Sequence, residues 1–370
     1  MKLVLLLIAF SLTFALNIEE INRQAYERIE YMQNIEEFPD KLKPELISLW
    51  IRQDRFPDGK LYINSRELTS KDMEEFLREA NLENIEGKVY FGITLRRTNM
   101  RMYPSEAIVH KGNPRIDYNQ YTLLEPFTPL AVLHSSRNKI WLYVHAPFMR
   151  GWVKKEDVKL VDREELLRLR RMPFLVVVKG RKTIGGVEFG LGSRVPYLEK
   201  RGNRYLVVLP DGRQVWTSDE GLHEGYMPFE ESKAKEILES LLGEAYEWGG
   251  SWDCSYLVQS LFAVFGVKLP RNSDQQAKIG RVVANSFKSY EEFKSTLSKL
   301  PPFRTLVFLK GHVMVYGGLH DGDIVLYHAV HRLKRDDGSL WWINAVYKNL
   351  VEKDYIRNIY KGVVSLNLLD

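Results

Sequence analysis

Along the chain the spacing of apolar and polar positions changes period several times. Residues 17–88 are charged and helical in spacing, with Thr69-Ser-Lys-Asp reading as a helix start and Met73, Phe76 and Leu77 following on one face. From Gly92 the period shortens to two. Ala131-Val-Leu-His, Ile140-Trp-Leu-Tyr-Val-His and Gly151-Trp-Val-Lys are strand-sized runs with turn residues between them, the pattern of a small β-barrel with Trp141 and Trp152 as packed aromatics. A basic helical connector at 162–171 leads to a second β set, Phe174-Leu-Val-Val-Val, the Gly185-Gly186 turn, Leu191-Gly-Ser-Arg-Val-Pro and Arg204-Tyr-Leu-Val-Val-Leu. Beyond Met227 the order becomes helix, helix, strands. Residues 230–242 are amphipathic, and Leu257, Val258, Leu261, Phe262 and Phe265 form one helical stripe closed by Gly266 in the C-cap position. Thr305-Leu-Val-Phe-Leu, Gly311-His-Val-Met-Val-Tyr and Ile324-Val-Leu-Tyr-His-Ala-Val read as three strands. The fold class is therefore α+β.

Composition narrows the function. With 370 residues, 45% of them hydrophobic, the chain can bury several cores. Met-Lys, an apolar run and small residues at Thr13 and Ala15 predict a secretory signal peptide cut after Ala15. No later run reaches the roughly 18 apolar residues of a membrane span. The expectation is an exported protein, periplasmic or associated with the cell wall, with no stable membrane insertion after cleavage. A net charge of +5 without a dense basic run argues against nucleic acid and suits an anionic polymer such as cell wall. One cysteine cannot form an internal disulfide, so in an exported protein it is a candidate reactive thiol.

That residue, Cys254, lies in Glu-Trp-Gly-Gly-Ser-Trp-Asp-Cys-Ser-Tyr at the start of the apolar helix. Unpaired amides and the positive dipole end at a helix N-terminus favour a thiolate, and Asp253 suits the cap. A nucleophile needs a base and a group to orient it. His312 opens one strand, where it shares a face with Met314 and Tyr316, and His328 lies on the next strand. His331 is a second candidate for the orienting position and His320 a third. Together the four histidines could instead hold a metal, but no recognised ligand spacing accompanies them.

Five short motifs in order carry a family resemblance: Tyr246-Glu-Trp-Gly-Gly; Asp253-Cys-Ser; Leu269-Pro-Arg-Asn-Ser with Gln275-Gln276 and Gly280; Gly311-His-Val-Met-Val-Tyr; and Tyr327-His-Ala. They resemble the NlpC-type cysteine peptidases, papain-like enzymes that cleave bacterial cell-wall peptides. Asn99-Met-Arg-Met-Tyr-Pro, Ala131-Val-Leu-His and Gly151-Trp-Val-Lys-Lys-Glu-Asp resemble a bacterial SH3-like barrel, and the second β set resembles another. The resemblance implies a signal peptide at 1–15, a helical stabilising domain at 16–95, SH3-like domains at 96–162 and 172–222, and a peptidase domain at 225–370. It implies Cys254 as nucleophile, His312 as base and then acid, His328 as orienting group, and Tyr246 with the Cys254 amide as oxyanion stabilisers. Asp253, Ser255, Arg271 and Ser273 would line the substrate groove, and Tyr103, beside Pro104, would reach it from the first barrel. No metal or other cofactor is implied. The partner is peptidoglycan or a muropeptide, cut between γ-D-glutamate and diaminopimelate or lysine. Alternatives are a recycling enzyme for free stem peptides with N-terminal L-Ala and a non-catalytic wall-binding protein.

Overall fold

The structure, a computed structural model, describes residues 16–370; the predicted leader at 1–15 lies outside them. Among the described residues no helix is long and apolar enough to cross a membrane. The helix Ile18–Arg28 starts under an Asn17 cap, whose side chain accepts from the Glu20 amide. Ile21 and Ala25, four residues apart, are buried on the same core as the last domain. Asn22 donates to the Gly266 carbonyl and accepts from the Lys268 amide, and the Gln24 side chain accepts from the Gly280 amide. Two segments some 250 residues apart in sequence are thereby stitched together.

The first β set is a seven-stranded antiparallel sheet in the order Val158–Val161, Tyr90–Thr94, Pro129–Ser135, Trp141–Ala146, Met149–Lys154, Thr98–Arg101, Gln120–Leu124. The sheet takes in residues before the expected boundary at 96, because Tyr90–Thr94 pairs with both Pro129–Ser135 and Val158–Val161. Trp141 and Trp152 are buried packing residues, as their pattern predicted. The helix Arg163–Arg171, capped by Asp162, buries Leu166 and Leu169. It leads to a five-stranded antiparallel sheet, Gln214–Ser218, Arg204–Val208, Arg194–Arg201, Phe174–Val177, Leu222–Glu224, with the hairpin Arg181–Ile184 and Val187–Gly190 beside it.

In the last domain the helices Glu231–Ser240 and Cys254–Ala263 precede a six-stranded antiparallel sheet. Its order is Arg281–Ala284, Val363–Leu368, Thr305–Leu309, His312–His320, Asp323–Lys334, Leu340–Leu350. Strand alternation divides the domain into two cores. Val313 and Val315 share a core with the helix Cys254–Ala263, whereas Met314 and Tyr316 belong to a separate core with Phe293 and Leu297. That helix is buried nearly all round, covered by the sheet, by the helices Ile18–Arg28 and Glu231–Ser240 and by the two barrels. Tyr256 on it donates to Glu125 of the first barrel, and a side chain at Gly192 of the second would meet Ser260 and Ala263 within 2.8 Å.

Candidate active site

Cys254 is the first residue of its helix and Asp253 is the cap, its Oδ1 accepting from the Tyr256 amide at 2.8 Å. The rest of the Asp253 carboxylate is saturated. It accepts from the Gly249 amide, from the Ser255 hydroxyl, and from two nitrogens of Arg271 at 3.1 and 2.5 Å. Arg271 in turn donates to Ser255 and to Thr122 of the first barrel. Asp253, Ser255 and Arg271 are all buried and bonded to one another, so they hold the helix start in place and offer little to a groove. Ser273 differs from these three: it opens a short helix and is half-buried.

The hydrogen-bond chain behind His312 fixes which nitrogen can act as base. A carboxylate accepts, so Asp354 takes a hydrogen bond from Asn349 Nδ2 at 2.7 Å and leaves the Asn349 oxygen facing His328. His328 therefore donates through Nε2 to that oxygen at 2.7 Å, and its Nδ1 is the acceptor in the neutral ring. His312 must then donate through Nε2 to His328 Nδ1, again at 2.7 Å. Its own Nδ1 is left bare. The thiol lies beside this strand start, where the Val313 amide reaches it. His328 is thus the residue that holds His312. His331 instead stands between Asn344 and Asn113 of the first barrel, and His320 is exposed beside Asp321. The four histidines do not converge, and among the described residues no three His, Cys, Asp or Glu side chains are placed to hold a metal. Asn349 and Asp354 escape sequence reading, because the strand Leu340–Leu350 also carries Asn344 and Lys348 and nothing in its pattern singles out Asn349.

Charge at the site differs from the expectation drawn from the helix start. Burial pushes the Cys254 thiol up to about 12, and the Asp253 carboxylate adds to the rise. The Val313 and Ser255 amides and Arg271 oppose it without winning. Burial likewise holds His312 well below the ordinary imidazole range, with His328 contributing, and holds His328 down to about 4. The resting pair is a thiol and a neutral imidazole. Burial raises the phenol of the half-buried Tyr246, with Asp253 and Cys254 adding to the rise, and its ring leans on His331 at 5.8 Å.

The first barrel reaches this site through residues on either side of Tyr103. Tyr118 meets Trp248 edge-on at 5.7 Å, the Gln120 amide donates to the Gly249 carbonyl, and Arg97 donates to Ser251. Gly249 has φ +61°, and any side chain there would strike Gln120, so the contact requires glycine. Tyr103 itself corrects the sequence reading. It is 2% exposed, stacked on Phe76, packed against Phe56 and hydrogen-bonded to the Asp54 carbonyl. The helix Ser70–Glu79, through Met73, Phe76 and Leu77, and the segment that carries Phe56, Leu61 and Ile63 close a small core over it.

Comparison with known proteins gives two family matches, an SH3 domain of the SH3b1 type at residues 106–154 and the NlpC/P60 family at 243–360. A γ-D-glutamyl-L-lysine dipeptidyl-peptidase of Bacillus cereus is 23% identical over 150 residues, covering 36% of this chain and 44% of that protein. The chain thus matches less than half the length of this relative. Among solved structures, an NlpC/P60 endopeptidase from Photobacterium damselae subsp. piscicida superposes with a TM-score of 0.73 over 95% of this chain and 92% of its own, at 18% identity. An NlpC/P60 family protein from Bacillus cereus superposes with a TM-score of 0.51 over 67% and 81%, also at 18%. At that identity the two structures speak to the fold. The C-terminal domain that carries Cys254 and its histidine chain is an NlpC/P60-family domain, set behind a bacterial SH3 domain.

Proposed function

We propose that this chain is an exported cysteine endopeptidase that hydrolyses the bond between γ-D-glutamate and diaminopimelate or lysine in peptidoglycan stem peptides. The observation that carries the reading is the single tautomer imposed on His312 beside a thiol at a helix start. His312 Nδ1 takes the thiol proton as sulfur attacks the γ-carbonyl carbon, so a sulfur–carbon bond forms and the carbonyl oxygen becomes an oxyanion. The Cys254 amide and Tyr246 face that charge. The imidazolium then gives its proton to the departing amine, the carbon–nitrogen bond breaks, and water repeats the sequence to release the acid and regenerate the thiol.

The name of the Bacillus cereus relative supports a γ-D-glutamyl bond as the target. Peptide still attached to glycan is favoured over free stem peptide by the state of Asp253. A site that selects a free N-terminal amine offers it an unpaired carboxylate, and the Asp253 carboxylate already faces Arg271 and three further donors. The test is to incubate the protein lacking residues 1–15 with purified sacculi and separately with L-Ala-γ-D-Glu-diaminopimelate, and to identify the products by mass. Release of γ-D-glutamyl-terminated fragments from sacculi, lost in Cys254→Ala, is expected. Cleavage of the free tripeptide alone would make it a recycling enzyme, and no cleavage of either a wall-binding protein.

A further inference from the structure

At the far end of the catalytic helix from Cys254, a cavity of about 230 Å³ opens where the N-terminal segment, both barrels and the peptidase domain meet. Three cations line it, Arg170, Arg194 and Lys268. Two carboxylates line it as well, but each is already engaged. Glu36 pairs with Arg170 at 2.7 Å, and Glu125 is shared among Arg97, Tyr256 and the Gly190 amide. Arg194 stacks over Phe174 at 3.8 Å, and Lys268 lies 5.4 Å over Tyr26, with no carboxylate bridged to either. Burial lowers the proton affinity of both, and the nearby Arg170 lowers it further, as like charges gathered in a cleft do. Arg194 is half-buried and Lys268 exposed, so the cleft carries positive charge that an arriving anion would offset.

Beyond these groups the wall turns apolar, with Met32, Phe127, Leu191 and Ala263. We propose that this junction is a binding site for a small amphiphilic anion, its carboxylate or phosphate head held by Arg194, Lys268 and Arg170 and its short apolar body laid along the opposite wall. The volume lies below the ~300–1,000 Å³ of a drug-sized pocket, which limits the body to a short chain or single ring. Such a ligand would bridge the N-terminal segment, the second barrel and the peptidase at one point.

Titration calorimetry on the protein lacking residues 1–15 tests this with octanoate, octyl phosphate, inorganic phosphate and octyl glucoside. Octanoate or octyl phosphate is expected to bind one to one, inorganic phosphate at least about tenfold more weakly, and the neutral glucoside not at all. Lys268→Gln and Arg194→Gln should each weaken binding by about tenfold, the share of one charge-assisted contact. Lys268 is exposed, so Lys268→Gln decides the matter should Arg194→Gln unfold on losing its stack with Phe174. No saturable binding of either amphiphile by about 1 mM, or binding indifferent to Lys268→Gln, overturns the site. Equal affinity for inorganic phosphate overturns its apolar half.

Discussion

At Cys254 a helix start that draws protons off the thiol competes with a buried setting that keeps them on, and burial prevails. Alkylation of the resting enzyme by iodoacetamide should therefore be slow at pH 7 and still be climbing at about pH 9. A rate that levels off below neutrality would mean a resting thiolate and overturn this account. The same chemistry makes the tautomer of His312 decisive, since a ring turned over would present an N–H to the thiol. Asp354 sets that tautomer from three residues away. Asp354→Ala frees the Asn349 amide to flip and should lower kcat by about 10- to 100-fold with KM little changed, the scale of a misplaced catalytic group. His328→Ala should cost about 10²- to 10⁴-fold, and His331→Ala should leave kcat within severalfold of wild type because its partners are Asn344 and Asn113. An unaffected Asp354→Ala enzyme, or a His331→Ala enzyme weaker than His328→Ala, would refute the chain as drawn.

The catalytic helix depends on a buried ion pair for its start. Arg271 is 2% exposed and neutralises an Asp253 carboxylate that is itself the helix cap. Arg271→Ala strands that charge and should cost about 3–5 kcal/mol of stability, read as a lower urea midpoint at constant m-value. The double change Asp253→Asn with Arg271→Gln should be less damaging than the sum of the two single changes; strict additivity would mean the pair is not coupled. This helix was legible in advance because its apolar stripe, its cap and its C-terminal glycine agree with one another. The strands were legible by their alternation for the same reason. What could not be read is whatever depends on register. Val315 opposite Tyr327 brings His312 and His328 into diagonal reach, and a bulge between Val330 and Arg332 sends His331 elsewhere. Asn349 and Asp354 follow that register in a hairpin whose pairing no local pattern specifies. Tyr103 was misplaced because a tyrosine beside a proline carries no sign of the helix Ser70–Glu79 and the segment 56–63 that close over it.

Over the whole molecule, buried titratable groups give stability a definite slope with pH. His145 and His328 are buried and His312 half-buried, and all three are held below the ordinary imidazole range by desolvation, the first and last to about 4. An unfolded histidine titrates near 6.5, so between those values the unfolded chain binds the extra proton and the folded one refuses it. Stability from these groups is complete above about pH 6.5 and lost as the pH falls toward 4, with each full shift of that size worth about 3 kcal/mol. Asp54 opposes them. It sits among Tyr31, Tyr121, Tyr143 and Arg150, and burial raises its carboxyl to about 7. Its folded form therefore holds a proton that the unfolded chain releases near 3.9, which penalises folding increasingly as pH rises to 7. Three histidines outweigh one aspartate, so urea midpoints should fall on acidification from pH 6.5 to 4.5. Asp54→Asn removes only the opposing group. Relative to wild type that variant should gain stability as the pH rises, with the difference greatest at pH 8 and smallest near pH 4. A wild-type optimum near pH 5, or an Asp54→Asn difference that does not change with pH, would show that these groups do not control the fold's response to acid.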